Sequence, residues 1–220
     1  MSGDDGREVG LPARIVLASA NPKKAAELVA VLGERFGDRV EVVPRPPEVP
    51  EVVEDAADFE GNARLKAEAL AAATGEWALA DDSGLEVDAL GGAPGVRSAR
   101  FAGDDADDAA NLAELIARLA PLAADDPGRR ARFRCVLVLA APPAAGEGPT
   151  EVVCHGTVEG RIAAVARGEA GFGYDPVFVP DEGDGRTFAE MAPGEKHAIS
   201  HRGRALRSLA RAVGGGSRRP

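Results

Sequence analysis

The stretch Ala78-Leu79-Ala80-Asp81-Asp82-Ser83-Gly84-Leu85-Glu86-Val87 is the one around which the chain is organised. Its apolar start reads as a short buried strand, and Gly84 reads as the turn that ends it. Two carboxylates then stand together at a strand end, and holding like charges side by side costs free energy. A hard divalent cation bound by oxygen ligands relieves that cost. A solvated Asp-Asp-Ser turn is the plainer reading of the same residues.

Composition narrows the class. The chain has 220 residues, 45% hydrophobic but only 4% aromatic, so its core is built of Ala, Val and Leu. That suffices for one domain, read as residues 13–213 between disordered tails at 1–12 and 214–220. The tail Met1 to Pro12 is polar and lacks the apolar centre of a signal peptide. No window supplies the roughly 18 uncharged apolar residues of a membrane span. Cys135 and Cys154 are then expected as reduced thiols in strands of a cytoplasmic protein. The net charge of −10 argues against nucleic-acid or membrane partners. It leaves an anionic small substrate open, because screening acts over about 8 Å and local cations decide what a pocket sees. Of the 26 cationic residues only Lys23, Lys24, Lys66 and Lys196 are lysines. An ammonium is not interchangeable with a guanidinium at a phosphate. Arg-rich codon bias accounts for their scarcity but not for their placement in the stretches described next.

Arg14-Ile15-Val16-Leu17-Ala18 reads as a buried strand. In Ser19-Ala20-Asn21-Pro22-Lys23-Lys24, Asn21 suits a helix N-cap and Pro22 the first helical position. Leu28, Val31 and Leu32 continue with helical spacing. Lysines in a first helical turn oppose the helix dipole, which favours anions there. Free amides, dipole and ammonium groups together make a phosphate site, against the alternative of a solvated basic turn. A Walker loop is excluded by the missing glycines. A second strand at Val40 to Val43 and a proline-rich connection lead to an acidic loop, Glu51 to Asp58. A helix from about Asp58 to Ala73 sets Phe59, Ala63, Lys66 and Leu70 on one face. There Lys66 either snorkels or points at a site.

Further on, Gly91 to Gly95 is a turn cluster, and Asp104 to Asp108 cap a helix with the stripe Leu112, Leu115, Ile116 and Leu119. Arg132 to Leu139 reads as a central strand and Glu151 to Glu159 as its hairpin partner. A glycine-rich loop at Gly168 to Gly173, a strand at Val177 to Val179 and a capping box at Thr187 to Glu190 follow. A last helix carries Leu206, Leu209 and Val213. Helices and strands alternate loosely around a hairpin-like middle. The fold class is therefore α/β, with a mixed central β-sheet and flanking helices, not a pure doubly wound sheet.

Five stretches, in this order, resemble the inosine triphosphate pyrophosphatase family: Ser19 to Lys24, Asn62-Ala63-Arg64-Leu65-Lys66-Ala67, Asp81 to Leu85, Phe172-Gly173-Tyr174-Asp175-Pro176 and Ser200-His201-Arg202-Gly203. The resemblance covers Arg14 to Val213. It implies a two-lobed domain with the active-site cleft between the lobes, a homodimer and a Mg²⁺ cofactor. The implied reaction takes non-standard purine nucleoside triphosphates (ITP, dITP, XTP) to the monophosphate and pyrophosphate. By the same resemblance Ser19, Ala20, Asn21, Pro22, Lys23 and Lys24 cradle the triphosphate. Many members have Thr-Gly where this chain has Ser19-Ala20. Glu54 joins Asp82 at the metal, with Asp55 and Glu51 as the other acidic-loop candidates. Asp82 is also the implied proton acceptor, and Lys66 and Ser83 contact phosphate. Phe172, Gly173, Tyr174, Asp175, Lys196, His201 and Arg202 are the implied base and sugar-phosphate contacts.

Chemistry agrees with these roles. Mg²⁺ and lysines suit the dense charge of a leaving pyrophosphate, and a carboxylate suits activation of water. Hypoxanthine and xanthine carry an oxygen at purine position 6, which Arg202 or a donating His201 nitrogen satisfies. Phe172 could stack on the ring, and Asp175 could accept from the ring N–H that adenine lacks. Three rivals are weighed. A serine-protease nucleophile turn at Asp82-Ser83-Gly84 fails for want of an all-β context and a second glycine. A catalytically silent nucleotide-binding module would not need Asp82. A related house-cleaning pyrophosphatase would differ only in base preference, which a substrate panel resolves.

Overall fold

The computed structural model describes residues 12–19, 21–143 and 151–214. Ala20, most of the loop at Pro142 to Pro149 and the outer parts of both tails lie outside the described residues. The tail boundaries need correction: Pro12 is buried, and Gly214 still belongs to the last helix.

The strands are β1 (Arg14–Leu17), β2 (Glu41–Val43), β3 (Trp77–Val87), β4 (Arg130–Ala140), β5 (Glu151–Ile162) and β6 (Phe178–Pro180). The helices are α1 (Pro22–Phe36), α2 (Phe59–Thr74), α3 (Asp108–Leu119), α4 (Pro193–Ile199) and α5 (His201–Gly214). Among the described residues the strands form one mixed sheet in the order β2-β1-β3-β4-β5-β6. β1 runs parallel to β2 and β3, and every later pairing is antiparallel. Within the antiparallel half, β4 and β5 form the predicted hairpin, a pairing that needs no crossover helix.

Side-chain alternation splits the sheet into two faces. Ile15, Leu17, Leu79, Leu137 and Leu139 pack against Leu28 and Leu32 of α1 and Leu206, Leu209 and Val213 of α5. On the other face Val16, Ala78, Ala80, Val136 and Val138 meet Phe59, Ala63, Ala67 and Leu70 of α2. Where β3 to β5 run on past β1, Leu85, Phe133, Val158, Phe178 and Phe188 close a further cluster with Leu115 and Leu119 of α3. Among the described residues no helix is long and apolar enough to cross a membrane. Cys135 and Cys154 are free, buried thiols on β4 and β5.

The opening stretch behaves differently from expectation. β3 continues through Asp81-Asp82-Ser83-Gly84 for 11 residues instead of ending there. Asp, Ser and Gly are poor strand formers, but tertiary pairing overrides the propensity. β4 lies against β3 all the way from Ala78↔Ala140 to Val87↔Ala131. Gly84 is not a turn and has no positive φ. An added Cβ would overlap the Gly95 carbonyl and the Ser98 hydroxyl and lie 2.9 Å from Phe59 Cε1. Glycine is needed here for close approach, the other meaning of a glycine inside a strand.

Candidate functional site

Because β3 continues, Asp81 and Asp82 point to opposite faces of the sheet and are not held side by side. Each meets its own cations. Asp81 accepts from Ser83 Oγ at 3.3 Å and lies 3.6 Å from Lys24 Nζ and 3.7 Å from Arg202 Nη2. Burial alone would raise its carboxyl, but Lys24, Arg202 and Lys66 outweigh burial and hold it well below the usual carboxylate range. Asp82 accepts from Asn62 Nδ2 at 3.2 Å and lies 3.6 Å from Lys66 Nζ. For Asp82 burial wins over Lys66 and Lys24, and the carboxyl is pushed up. β1 partners β3 only as far as Leu17↔Leu79. Beyond that point the edge of β3 is open at Asp81 to Ser83, before Leu85 to Val87 are met by the Ala93–Ser98 segment, so residues from both faces reach one cleft of ≈ 590 Å³.

Ser19, Asn21, Lys24, Glu54, Lys66, Asp81, Asp82 and Ser83 all line that cleft. Glu54 comes from the irregular loop before α2, and its Oε2 stands 3.2 Å from Lys66 Nζ. Glu54 and Asp82 thus converge on one ammonium, a point where two hard oxygen donors already hold positive charge. Asn62, 1% exposed, fixes the pair by accepting from Ala56 N at 3.0 Å while donating to Asp82. Glu51 lines the cleft but pairs with Arg45 at 3.2 Å. Asp55 is not among the lining residues. Among the described residues no three His, Cys, Asp or Glu side chains converge as a closed metal cage. Two carboxylates beside open cleft fit Mg²⁺, which keeps waters and phosphate oxygens as its other ligands.

The predicted cap at the start of α1 forms. Asn21 Oδ1 accepts from Lys23 N at 2.9 Å and Lys24 N at 3.2 Å, and Pro22 takes the first helical position. Ser19 Oγ donates to Asn21 O at 3.3 Å. The two lysines then diverge. Lys24 turns toward Asp81, while Lys23 pairs with Asp108 of α3 at 3.1 Å on the exposed side.

The remaining predicted residues form an adjoining ion network and do not line the cleft. Asp175 accepts from Lys196 Nζ at 2.7 Å and from Phe172 N at 2.8 Å. The loop wraps this carboxylate so closely that Gly171, at φ +79, has no room for a Cβ beside it. Burial still pushes the Asp175 carboxyl up, against Lys196. The Phe172 ring has Lys196, Lys23 and Arg202 within 5.0, 5.7 and 5.8 Å of its centroid. Gly173, at φ +59, lies in the same turn, and Tyr174 is buried with its hydroxyl donating to Ser98 O at 2.8 Å. Lys196 sits on α4, an element absent from the sequence reading. His201 and Arg202 are the first residues of α5 and do not precede it. The His201 ring stacks on Phe133 with centroids 4.7 Å apart, and burial drives its pKa well below the ordinary histidine value, with Arg202 and Lys196 adding to the effect. Arg202 Nη2 donates to Ser83 Oγ at 3.2 Å, which joins this network to the cleft. Among the described residues Arg202 Nε and His201 Nδ1 are buried without a hydrogen-bond partner.

Sequence reasoning missed the residue that ties the network together. Glu27 of α1 hydrogen-bonds Arg202 and lies 3.2 Å from Lys196 Nζ. Burial would raise its carboxyl, but Arg202 and Lys196 hold it below the ordinary glutamate value. It follows Lys23 by four residues and Lys24 by three, and that helical spacing was the available signal. Arg45 and Arg100 were also missed as cleft-lining cations. Arg100 Nη2 donates to Glu54 O at 3.3 Å and so steadies the acidic loop.

Comparison with known proteins follows the same lines. A protein named dITP/XTP pyrophosphatase from Mycolicibacterium paratuberculosis is 49% identical over 201 residues, 90% of this chain and 95% of the relative. One of the same name from Streptococcus pyogenes serotype M18 is 46% identical over 202 residues, 92% of this chain; the chain spans 59% of that relative's length. The solved structure of a HAM1 protein from Coxiella burnetii aligns with a TM-score of 0.79 at 42% identity, covering 92% of this chain and 99% of that one. The family model that matches, over residues 15–212, is that of the Ham1 family, and the chain belongs to that family.

Proposed function

We propose that this chain hydrolyses non-standard purine nucleoside triphosphates (ITP, dITP, XTP) to the monophosphate and pyrophosphate, with Mg²⁺, as a cytoplasmic homodimer. The observation that carries the reading is the convergence of Glu54 and Asp82 on Lys66 at the open edge of β3. The name shared by relatives that match most of the chain supports the substrate class.

In this reading Glu54 and Asp82 hold the cation, and Lys66 shifts from between them onto phosphate oxygens. A Mg²⁺ ion held there would supply Lewis-acid neutralisation of charge on the phosphates. Lys24, the Asn21-capped start of α1 and Ser83 bind the triphosphate. Asp82 orients and deprotonates the water that attacks the α-phosphorus. Lys24 and Lys66 stabilise the charge that develops on the pyrophosphate as it leaves. Phe172 stacks on the base, and Glu27 and Asp175 hold Lys196 and Arg202 in position around it. Arg202 Nε is a buried donor that lacks an acceptor, and an oxygen at purine position 6 supplies one. Adenine presents an amino group there and leaves donors facing donors, which sites of this kind reject by about 10⁴-fold. The two-lobed division belongs to the same reading, with the cleft between the α1/α2 half and the Phe133–Phe188 half.

A panel of ITP, XTP, dITP, ATP and GTP, assayed for pyrophosphate release with Mg²⁺, tests the assignment. High kcat/KM for the first three and low values for ATP and GTP are expected. Equal values for ITP and ATP would defeat the base assignment, and no release from any of them would defeat the whole reading.

A further inference from the structure

β1 leaves β3 at Leu79, yet the backbone amides of β3 beyond it still need partners. Leu85 N–H donates to Ser98 Oγ at 2.9 Å, and the same hydroxyl donates to Gly95 O at 2.7 Å. A side chain thus replaces the missing neighbour strand one residue past Gly84. The fit is tight, since the Ser98 hydroxyl and the Gly95 carbonyl fill the space where a Gly84 Cβ would go. The other end of Ser98 is also used. Its carbonyl accepts from Tyr174 Oη at 2.8 Å, and Tyr174 lies on the loop that carries Phe172 and Asp175. Neighbours of Ser98 on the same 3-10 segment, Val96, Ala99 and Arg100, line the cleft.

We propose that Ser98 is a positioning residue that links the Phe172–Asp175 loop to the strand carrying Asp82 and Ser83. Its hydroxyl sets the depth of β3 in the cleft, and its carbonyl anchors the loop through Tyr174. Closure of the loop on a base then steadies Asp82 and Ser83 on β3. Tyr174 acts within this bracket and not as a direct contact of the base. The kinetic consequence rests on the hydrolysis proposed above; the structural link does not.

The test uses Ser98→Ala, Tyr174→Phe and the double variant of the full chain. Tyr174→Phe is nearly isosteric and removes only the hydrogen bond to Ser98 O. First, amide hydrogen exchange is followed at Leu85. Tyr174→Phe is expected to accelerate Leu85 exchange about tenfold, although the lost hydrogen bond goes to Ser98 O and not to Leu85. A wild-type exchange rate at Leu85 in Tyr174→Phe overturns the proposal, whether or not the protein proves to be an enzyme. Second, kcat and KM for inosine triphosphate are measured. Each single variant is expected to lose about tenfold in kcat, and the double variant no more than either, because two links in series fail together. A purely structural Ser98 lowers the unfolding midpoint and leaves kcat unchanged, and that result, or losses that multiply in the double variant, also overturns the proposal. Absence of wild-type turnover would instead defeat the hydrolysis reading and leave the exchange measurement to decide.

Discussion

Replacing Gly84 by Ala adds one methyl group at the most constrained point of β3. The backbone there accepts alanine, since its φ is not positive. Space does not: the new Cβ would overlap a backbone carbonyl at Gly95 and the Ser98 hydroxyl, with Phe59 Cε1 at 2.9 Å. A carbonyl cannot rotate away as a flexible side chain can, so the cost belongs at the upper end of overpacking penalties, about 3 kcal/mol. In a chain of this size that lowers the unfolding midpoint by about 6 to 12 °C. The relief route is a shift of β3 away from the Gly95 turn, which carries Asp82 and Ser83 with it. A fraction of an ångström at a reacting carboxylate lowers kcat by about tenfold or more. Gly33→Ala in α1 is the matched control, because nothing lies within 4 Å of its Cβ and alanine favours a helix interior by about 0.5–1 kcal/mol. Thermal unfolding and steady-state turnover of the two variants give the comparison. A Gly84→Ala protein with an unchanged midpoint and unchanged kcat would place Gly84 in an open turn and refute the continuous strand.

Other variants probe the charges. Asp82→Asn keeps shape but loses basicity, and kcat for inosine triphosphate should fall at least about 10²-fold in a protein that still folds. Lys66→Ala leaves Glu54 and Asp82 facing one another without a cation, so Mg²⁺ should raise its unfolding midpoint more than it raises that of the wild type, and adding Glu54→Gln should abolish the difference. Glu27 has a folded-state pKa below its ordinary value, so it stabilises the protein above that value and the effect fades as pH falls. The stability lost in Glu27→Gln should therefore be larger near about pH 7 than near about pH 3, measured by denaturant unfolding; a loss independent of pH would contradict the ion network. Arg202→Ala should narrow the kcat/KM ratio of ITP over ATP, and an unchanged ratio would remove Arg202 from base recognition.

Local signals in the chain were legible. Asn21 and Pro22 mark the start of α1 because a cap and a fixed φ act within a few residues, and the apolar run Val136 to Leu139 marks the middle of the sheet. Mixed topology followed from the hairpin-like Arg132 to Glu159 region, which β4 and β5 form. The error at Asp81 to Gly84 has a physical cause. Four poor strand formers become a strand only because β4 pairs with them from about fifty residues away, and no local pattern carries that. The same non-locality hid Glu27, whose partners Lys196 and Arg202 come from α4 and α5. It also hid Ser98, whose hydroxyl stands in for a strand that stops early. Lys66 was the reverse case: its place on an apolar helix face left snorkelling open, and its two carboxylate partners show that it points into the cleft.

The central claim is that water, directed by Asp82, attacks the α-phosphorus of a triphosphate held in the cleft. Hydrolysis of inosine triphosphate in ¹⁸O-labelled water with Mg²⁺, read by mass spectrometry of the products, tests it directly. The label is predicted in inosine monophosphate, with unlabelled pyrophosphate as the other product. Label in pyrophosphate, or release of orthophosphate and a nucleoside diphosphate, would contradict it.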